Sequence, residues 1–425
     1  MDGSASVRIV AVGDELLEGR TSDTNSTRIQ RALVRHAVDV RDIAVVHDQL
    51  PAIASALDRT EPGDLVFICG GLGSTGDDLT REAVAAWAAV ALEWREDVAA
   101  ALRAEYRRRG FERDLTGDKQ PLIPAGCEAI ANPVGTAPGF VGRLADRWVA
   151  VLPGVPSELQ AMLPAIVERL GAAGVLPAAR RVELWRVAQM AEIKVAELTE
   201  PVRRRHPDLH WSWWVVPWGV DVRVAGGPDQ VAALADAAAA LDVALGDLVY
   251  ARELVDLPRV VQDLMLRAGR TLAVAESCTG GLLGAAITGQ DGSSAYFRGG
   301  VLSYANEAKF DLLHVAADAL LAHGAVSRPV AEQMAQGARQ RLGADFALAV
   351  TGVAGPGGGT AAKPVGTTWL ALAGPDRVDA ACYRFSGDRE RNRQLAVAAA
   401  LDMLRRRLTG VPVVAPARLS WAVGP

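Results

Sequence analysis

The sharpest chemistry in the sequence is a serine set between an apolar run and a pair of glycines, Glu276-Ser277-Cys278-Thr279-Gly280-Gly281. Residues 271–275 read as a buried strand, and a helix is expected from about Leu282. A serine at such a strand-to-helix turn points its Oγ into a pocket, where local N–H groups can receive an oxyanion. Ser277 is therefore a candidate nucleophile, with Thr279, Gly280 and Gly281 as candidate substrate-binding positions. A serine nucleophile needs a base. The motif is not the G-x-S-x-G elbow of hydrolases, and neither His314 nor His323 completes a Ser–His–Asp set. The base indicated is Lys309, five residues after Tyr304 in Tyr304-Ala-Asn-Glu-Ala-Lys309. A helix starting at Asn306 turns both toward one site, and desolvation lowers a lysine pKa so that the amine can accept a proton. The Tyr304 hydroxyl can relay protons or orient the nucleophile. Taken singly, these residues are better explained as helix caps, a half-buried ring and a solvated lysine. Together with two further motifs they favour chemistry.

The first of those motifs is Thr351-Gly-Val-Ala-Gly-Pro-Gly-Gly-Gly359, after an expected strand at 346–350. Backbone freedom at Gly355, Gly357 and Gly358 suits close approach to a phosphate, but no Lys-Ser/Thr ending makes it a P-loop. The second is Gly387-Asp-Arg-Glu-Arg391, opening the last helix, where Arg389 and Arg391 can clamp a phosphate. Nearer the N-terminus, Gly13-Asp-Glu15 follows one strand and Gly70-Gly-Leu-Gly-Ser-Thr-Gly-Asp77-Asp78 another. Acidic groups beside a Gly-rich turn repel phosphate unless a divalent cation lies between, so Glu15, Asp48 and Asp78 are candidate ligands for a hard metal. Read as spacing alone, Asp77 and Asp78 are slightly better explained as helix caps.

The elements that must position these groups fall into three segments. Strands at 7–12, 64–69 and 148–152 alternate with helices at 24–34, 79–91 and 95–109, which implies a mostly parallel sheet covered on both faces. A smaller α+β segment spans 178–253, with a strand at 181–187, a helix at 191–204 and a Trp-rich hairpin at 210–224. Its Trp cluster reads as a packed hairpin rather than a base-stacking platform, because no basic groove accompanies it. The third segment, 257–410, carries the serine.

Composition bounds the rest. A chain of 425 residues suggests two or three domains. Apolar residues are 50% and charged residues 22%, which is globular rather than disordered usage. The net charge of −5 speaks against nucleic-acid binding. Cys69, Cys127, Cys278 and Cys382 form no C-x-x-C pair or disulfide framework. The N-terminus reads as lacking a signal peptide, and no apolar stretch of about 18 residues occurs, so a cytoplasmic protein with no membrane partner is expected.

Gly13-Asp-Glu-Leu16, Asp23-Thr-Asn25, Gly70-Gly-Leu-Gly73, Asp77-Asp78 and Leu152-Pro-Gly-Val-Pro156 resemble the molybdopterin-binding fold. Asn132-Pro-Val-Gly-Thr-Ala-Pro-Gly-Phe140 and Leu152 to Glu158 narrow the resemblance to the N-terminal domain of the CinA family (competence- and damage-inducible protein A). The motifs at 275–281, 297–300, 304–309, 324–327, 349–359 and 387–391 resemble that family's C-terminal domain, in order. The resemblance is weakest at 178–253, and Asp14 and Ser74 stand where the family usually has Thr and Pro. It implies an α/β chain: a molybdopterin-binding-like three-layer domain at 1–172, a small α+β domain at 178–253 and an α/β deamidase domain at 257–410. It further implies nicotinamide mononucleotide deamidation without a cofactor, with Ser277 as nucleophile, Lys309 as base, Tyr304 assisting, and Thr351 and Arg391 in the site. A divalent metal at the N-terminal site would serve a second activity, hydrolysis of ADP-ribose. Small-molecule nucleotides as substrates and a homodimer are the partners expected. The alternatives are a chain whose main activity is the N-terminal pyrophosphatase, or a non-enzymatic competence-related binding protein.

Overall fold

The computed structural model describes residues 6–36, 38, 40–177, 179–413 and 422–423. The stretch 1–5, read above for targeting signals, lies outside them, as does position 178, where the middle segment is expected to begin. The chain divides into two compact units, Met1–Arg181 and Val182–Pro425. Among the described residues no helix is long and apolar enough to cross a membrane.

The first unit contains strands β1 (Val7–Val12), β2 (Val40–Val46), β3 (Leu65–Cys69), β4 (Leu92–Trp94), β5 (Leu122–Pro124), β6 (Cys127–Ile130), β7 (Gly139–Leu144) and β8 (Arg147–Leu152). Six of them form one sheet in the order β2-β1-β3-β8-β7-β6, parallel from β2 to β8 and antiparallel beyond. The β3 run Leu-Val-Phe-Ile-Cys is buried at every position, as a central strand covered on both faces must be. Alternate residues go to opposite layers. Ile9 and Phe67 pack with Ile29, Leu159 and Ile166, while Val10 and Ile68 pack with Ile53, Leu57 and Val84. The helices Asn25–Leu33 and Pro156–Ala172 thus cover one face, and Leu50–Asp58 and Thr80–Trp87 the other, giving the three layers expected.

The second unit contains two sheets. β9 (Arg181–Ala188), β10 (His210–Val216), β11 (Gly219–Gly226) and β12 (Val249–Ala251) are ordered β10-β11-β9-β12. The expected hairpin is β10–β11; Trp211 Nε1 donates to His206 O and Trp213 Nε1 to Thr199 Oγ1, while Trp214 is exposed with Arg223 over its ring. β13 (Leu272–Glu276), β14 (Phe297–Leu302), β15 (Phe346–Gly352), β16 (Thr367–Ala373), β17 (Val378–Arg384) and β18 (Ala422–Val423) follow in the order β14-β13-β15-β16-β17-β18. β13 is parallel to both neighbours and the remaining pairs are antiparallel. Ala273, Ala275, Ala347 and Ala349 line one face, and these small side chains let the helix Arg328–Arg341 approach closely through Ala331, Met334, Ala335 and Ala338. The other face belongs to a core shared with the small sheet.

A buried ionic network explains why the two sheets form one unit. Asp402, fully buried on the helix Arg389–Thr409, accepts from Arg405 Nε at 2.6 Å, Arg406 Nε at 2.9 Å and Gln189 Nε2 at 3.0 Å. Arg406 also meets Asp247 at 2.8 Å. Removing one member leaves an uncompensated charge, which costs about 3–5 kcal/mol.

Candidate active site

In an open α/β sheet the crevice lies outside the carboxyl ends of the strands where the order reverses. The order β14-β13-β15 places that point between β13 and β15, and Ser277 follows β13 directly. Ser277 N donates to Val350 O of β15 at 3.0 Å, which joins the two strand ends. The turn then needs Gly280 and Gly281, at φ +59° and +97°, to enter the helix Leu282–Thr288.

Lys309 lies on the helix Asn306–Leu313, starting where its spacing from Tyr304 requires. Lys309 is 1% exposed, and its Nζ lies 3.1 Å from Ser277 Oγ, 2.7 Å from Ser303 O and 3.1 Å from Tyr304 O. Carbonyls only accept, whereas a hydroxyl also donates. A neutral amine at this spot gives its two N–H groups to the carbonyls and turns its lone pair to the Ser277 hydroxyl. Burial favours that form by pulling the Lys309 pKa down, against weaker opposing effects of Cys278 and Glu307. Cys278, though adjacent, is buried and its thiol is pushed up to about 11, so it stays protonated near neutral pH.

Glu276 is a residue that sequence reasoning missed. Its buried carboxylate accepts from the N–H groups of Gly281 at 3.0 Å, Leu283 at 3.0 Å and Gly284 at 2.8 Å. The N–H groups at the helix start, expected to face an oxyanion, are therefore already used. Its own carbonyl accepts from Ser303 N at 2.8 Å, and the Ser303 carbonyl in turn holds Lys309. The available signal was a carboxylate immediately before the nucleophile and six residues before a helix start.

The remaining expected residues are distributed as follows. Thr279 is fully buried, and its Oγ1 has no partner among the described residues. Thr351 ends β15 and donates Oγ1 to Ala325 O at 2.9 Å. Tyr304 is 63% exposed, and its hydroxyl accepts from Arg389 Nη2 at 3.3 Å rather than meeting Ser277. A Cβ on Gly355 would come within 2.5 Å of Val365, whereas the loop tip at Gly357 is open. Arg389 Nη1 donates to Gly355 O at 2.6 Å, and Arg393 Nη2 to Thr279 O at 2.7 Å. Arg391 does not share this face. It lines a separate cavity of about 190 Å³ with Gln189, Trp218 and Phe385. This corrects the expected pairing of Arg389 with Arg391: residues two apart on a helix point to nearly opposite sides, and those four apart share one.

In the first unit the order β2-β1-β3 puts the equivalent crevice after β1 and β3. A cavity of about 650 Å³ lies there, lined by Gly13, Glu15, Asp48, Gly70 to Ser74, Asp77 and Asp78. The expected metal ligands share this cavity without converging. Asp78 Oδ2 accepts from Thr75 N at 2.9 Å and Thr75 Oγ1 at 2.5 Å, and Asp48 Oδ2 from Asp14 N at 2.9 Å. Among the described residues no group of three or more His, Cys, Asp or Glu side chains is placed to hold a metal ion. Glu15, Asp48 and Asp78 as arranged do not converge on one point, so no step through a cation is derived. Partial burial, and the negative charges of Asp14, Glu15 and Asp77, raise the Asp48 carboxyl above its ordinary range against the Asp14 hydrogen bond.

These two crevices define a two-part chain, one part a molybdopterin-type sheet and the other a sheet presenting serine and lysine. The model for a probable molybdopterin binding domain matches residues 8–172, and that for the CinA C-terminal domain matches residues 255–408. A CinA-like protein of Anaeromyxobacter sp. (strain Fw109-5) is 40% identical over 418 residues, covering 95% of this chain and 99% of the relative. A CinA-like protein of Geobacter metallireducens is 40% identical over 410 residues, covering 94% and 98%. The chain belongs to the CinA family. Among solved structures, a CinA superfamily protein from Klebsiella pneumoniae is 37% identical, covering 36% of this chain and 96% of that one, with a TM-score of 0.36. A competence/damage inducible protein from Agrobacterium tumefaciens is 44% identical, covering 36% and 93%, with a TM-score of 0.35.

Proposed function

We propose that the second unit is an amidohydrolase that converts nicotinamide mononucleotide to nicotinic acid mononucleotide and ammonia. The observation that carries the reading is a buried lysine Nζ 3.1 Å from the hydroxyl of a serine at the sheet's switch point. Ser277 Oγ attacks the carboxamide carbon and passes its proton to Lys309. The carbonyl π electrons move to oxygen, and N–H groups of turn 278–279, which Glu276 does not engage, receive the oxyanion. Collapse breaks the C–N bond, and the leaving nitrogen takes the proton from Lys309 to depart as ammonia. Water then attacks the acyl-enzyme with Lys309 again as base, and Ser277 regains its proton as the acid leaves. The choice of a nicotinamide nucleotide among amides comes from the family resemblance. The test is ammonia release by the full chain and by Ser277→Ala, with folding checked by circular dichroism. The variant is expected to be inert and folded, and wild-type turnover by it refutes the reading.

A second reading, hydrolysis of ADP-ribose in the first unit, has one observation in its favour: three carboxylates and a Gly-rich turn line the same cavity. AMP release that requires an added divalent cation supports it, and none at any cation concentration removes it.

A further inference from the structure

The cavity of about 190 Å³ that holds Arg391 is framed by three elements of the second unit. They are the turn after β9, the turn joining β10 to β11, and the first turns of the helix Arg389–Thr409. Its wall is apolar: Met190, Val220 and Phe385 are buried there, and Trp218 is half-buried. Such a wall favours an apolar body, and aromatic rings favour another ring. The volume lies below the roughly 300–1,000 Å³ of sites for drug-sized ligands, which suits a small molecule rather than a nucleotide.

Two opposite charges line the same cavity without meeting. Arg391 is half-buried, and its backbone N–H donates to Asp388 Oδ1 at 2.7 Å, but its guanidinium has no hydrogen bond or ion pair among the described residues. The carboxylates of its own turn are spent elsewhere: Asp388 caps the helix, and Glu390 pairs with Arg393 at 2.9 Å. Glu192, exposed at the start of the helix Glu192–Arg205, likewise has no partner among the described residues. A guanidinium fork left free over an apolar wall suits a carboxylate, and a free carboxylate at the rim suits an ammonium. The turn that carries Glu192 is fixed to the helix that carries Arg391. Gln189 takes φ +57°, a left-handed conformation that strains any residue with a Cβ. Its Nε2 donates to Asp402 Oδ2 at 3.0 Å and Ala399 O at 3.2 Å. Strain held in place by its surroundings is characteristic of ligand clamps.

We infer that this cavity binds a free amino acid with an aromatic side chain, its carboxylate on Arg391, its ammonium toward Glu192 and its ring against Trp218 and Phe385. The inference is independent of the deamidase reading, and a chain that releases no ammonia tests it equally well. Binding is measured by titration calorimetry on the full chain with L-phenylalanine, with 3-phenylpropionate, which lacks the ammonium, and with phenethylamine, which lacks the carboxylate. Phenylalanine should bind more tightly than either. Arg391→Gln should weaken phenylalanine by about tenfold to a hundredfold, the range for a hydrogen bond to a charged group, and phenethylamine by less than about twofold. Glu192→Gln should weaken phenylalanine by about two- to fivefold, as for an exposed ion pair, and leave phenylpropionate nearly unchanged. Arg391→Lys should recover part of the loss, and the thermal midpoint guards against misfolding. No heat from phenylalanine at millimolar concentration, or equal weakening of all three compounds by Arg391→Gln, overturns the inference. If a variant fails to fold, the wild-type series decides: phenylpropionate or phenethylamine binding as tightly as phenylalanine overturns it.

Discussion

The two units solve the same topological problem differently. Each has a sheet whose order reverses beside its first strand, with a crevice outside the strand ends. In the first unit that crevice is a wide cavity of about 650 Å³, with Asp48 and Asp78 held by backbone N–H groups. In the second, one hydroxyl and one amine are buried and in contact. The proposed reaction in the second therefore needs no rearrangement for its two groups to meet. The first offers a cavity lined by acidic groups, with no such contact between two reactive side chains among the described residues.

The contrast can be broken by removing what preorganises the second unit. The largest effect should come from Ser277→Ala, with ammonia release from nicotinamide mononucleotide falling by about 10³ or more, as for removal of other nucleophiles. Lys309→Met should lower kcat nearly as far while changing the dissociation constant only a few-fold, measured by single-turnover kinetics beside calorimetry. Asp402→Asn should lower unfolding stability by about 3–5 kcal/mol in urea denaturation, because it strands Arg405 and Arg406 in the core. Glu276→Gln should cost about 1–3 kcal/mol, since an amide cannot accept from all three N–H donors without turning its own N–H groups on one of them.

The smallest effect concerns pH. The folded-state pKa of Lys309 is lowered, so the folded protein binds fewer protons than the unfolded chain between that lowered value and 10.5. Over that window the contribution of Lys309 to stability rises with pH, and below it the buried charge is a cost. Lys309→Met should flatten this slope in thermal midpoints measured across pH. In the wild type, kcat/KM should rise with pH below the range of an exposed lysine, because the amine is the active form.

Much of this arrangement was legible in the sequence, for physical reasons. The short apolar run before Ser277, ending at a Gly-rich turn, reads as a buried strand, and five residues from Tyr304 to Lys309 across a helix start bring the amine back to the strand end. Those periodicities survive folding. Arg391 was misplaced because a motif read along the chain ignores the angle between helix positions, which puts Arg389 and Arg393 on the site face. Glu276 escaped notice because its role depends on the turn doubling back over its carboxylate. The candidate metal ligands of the first unit, Glu15, Asp48 and Asp78, line one cavity. Their side chains were turned away from a common point by Thr75 and by the Asp14 backbone, contacts that spacing does not reveal.

The central claim is that Ser277 Oγ forms a bond to the substrate carbonyl. The most direct measurement is acid-quenched mass spectrometry of the full chain mixed with nicotinamide mononucleotide. The peptide containing Ser277 should gain the mass of the substrate less ammonia. Steady ammonia release with no adduct on that peptide at any quench time, and undiminished in Ser277→Ala, would contradict it.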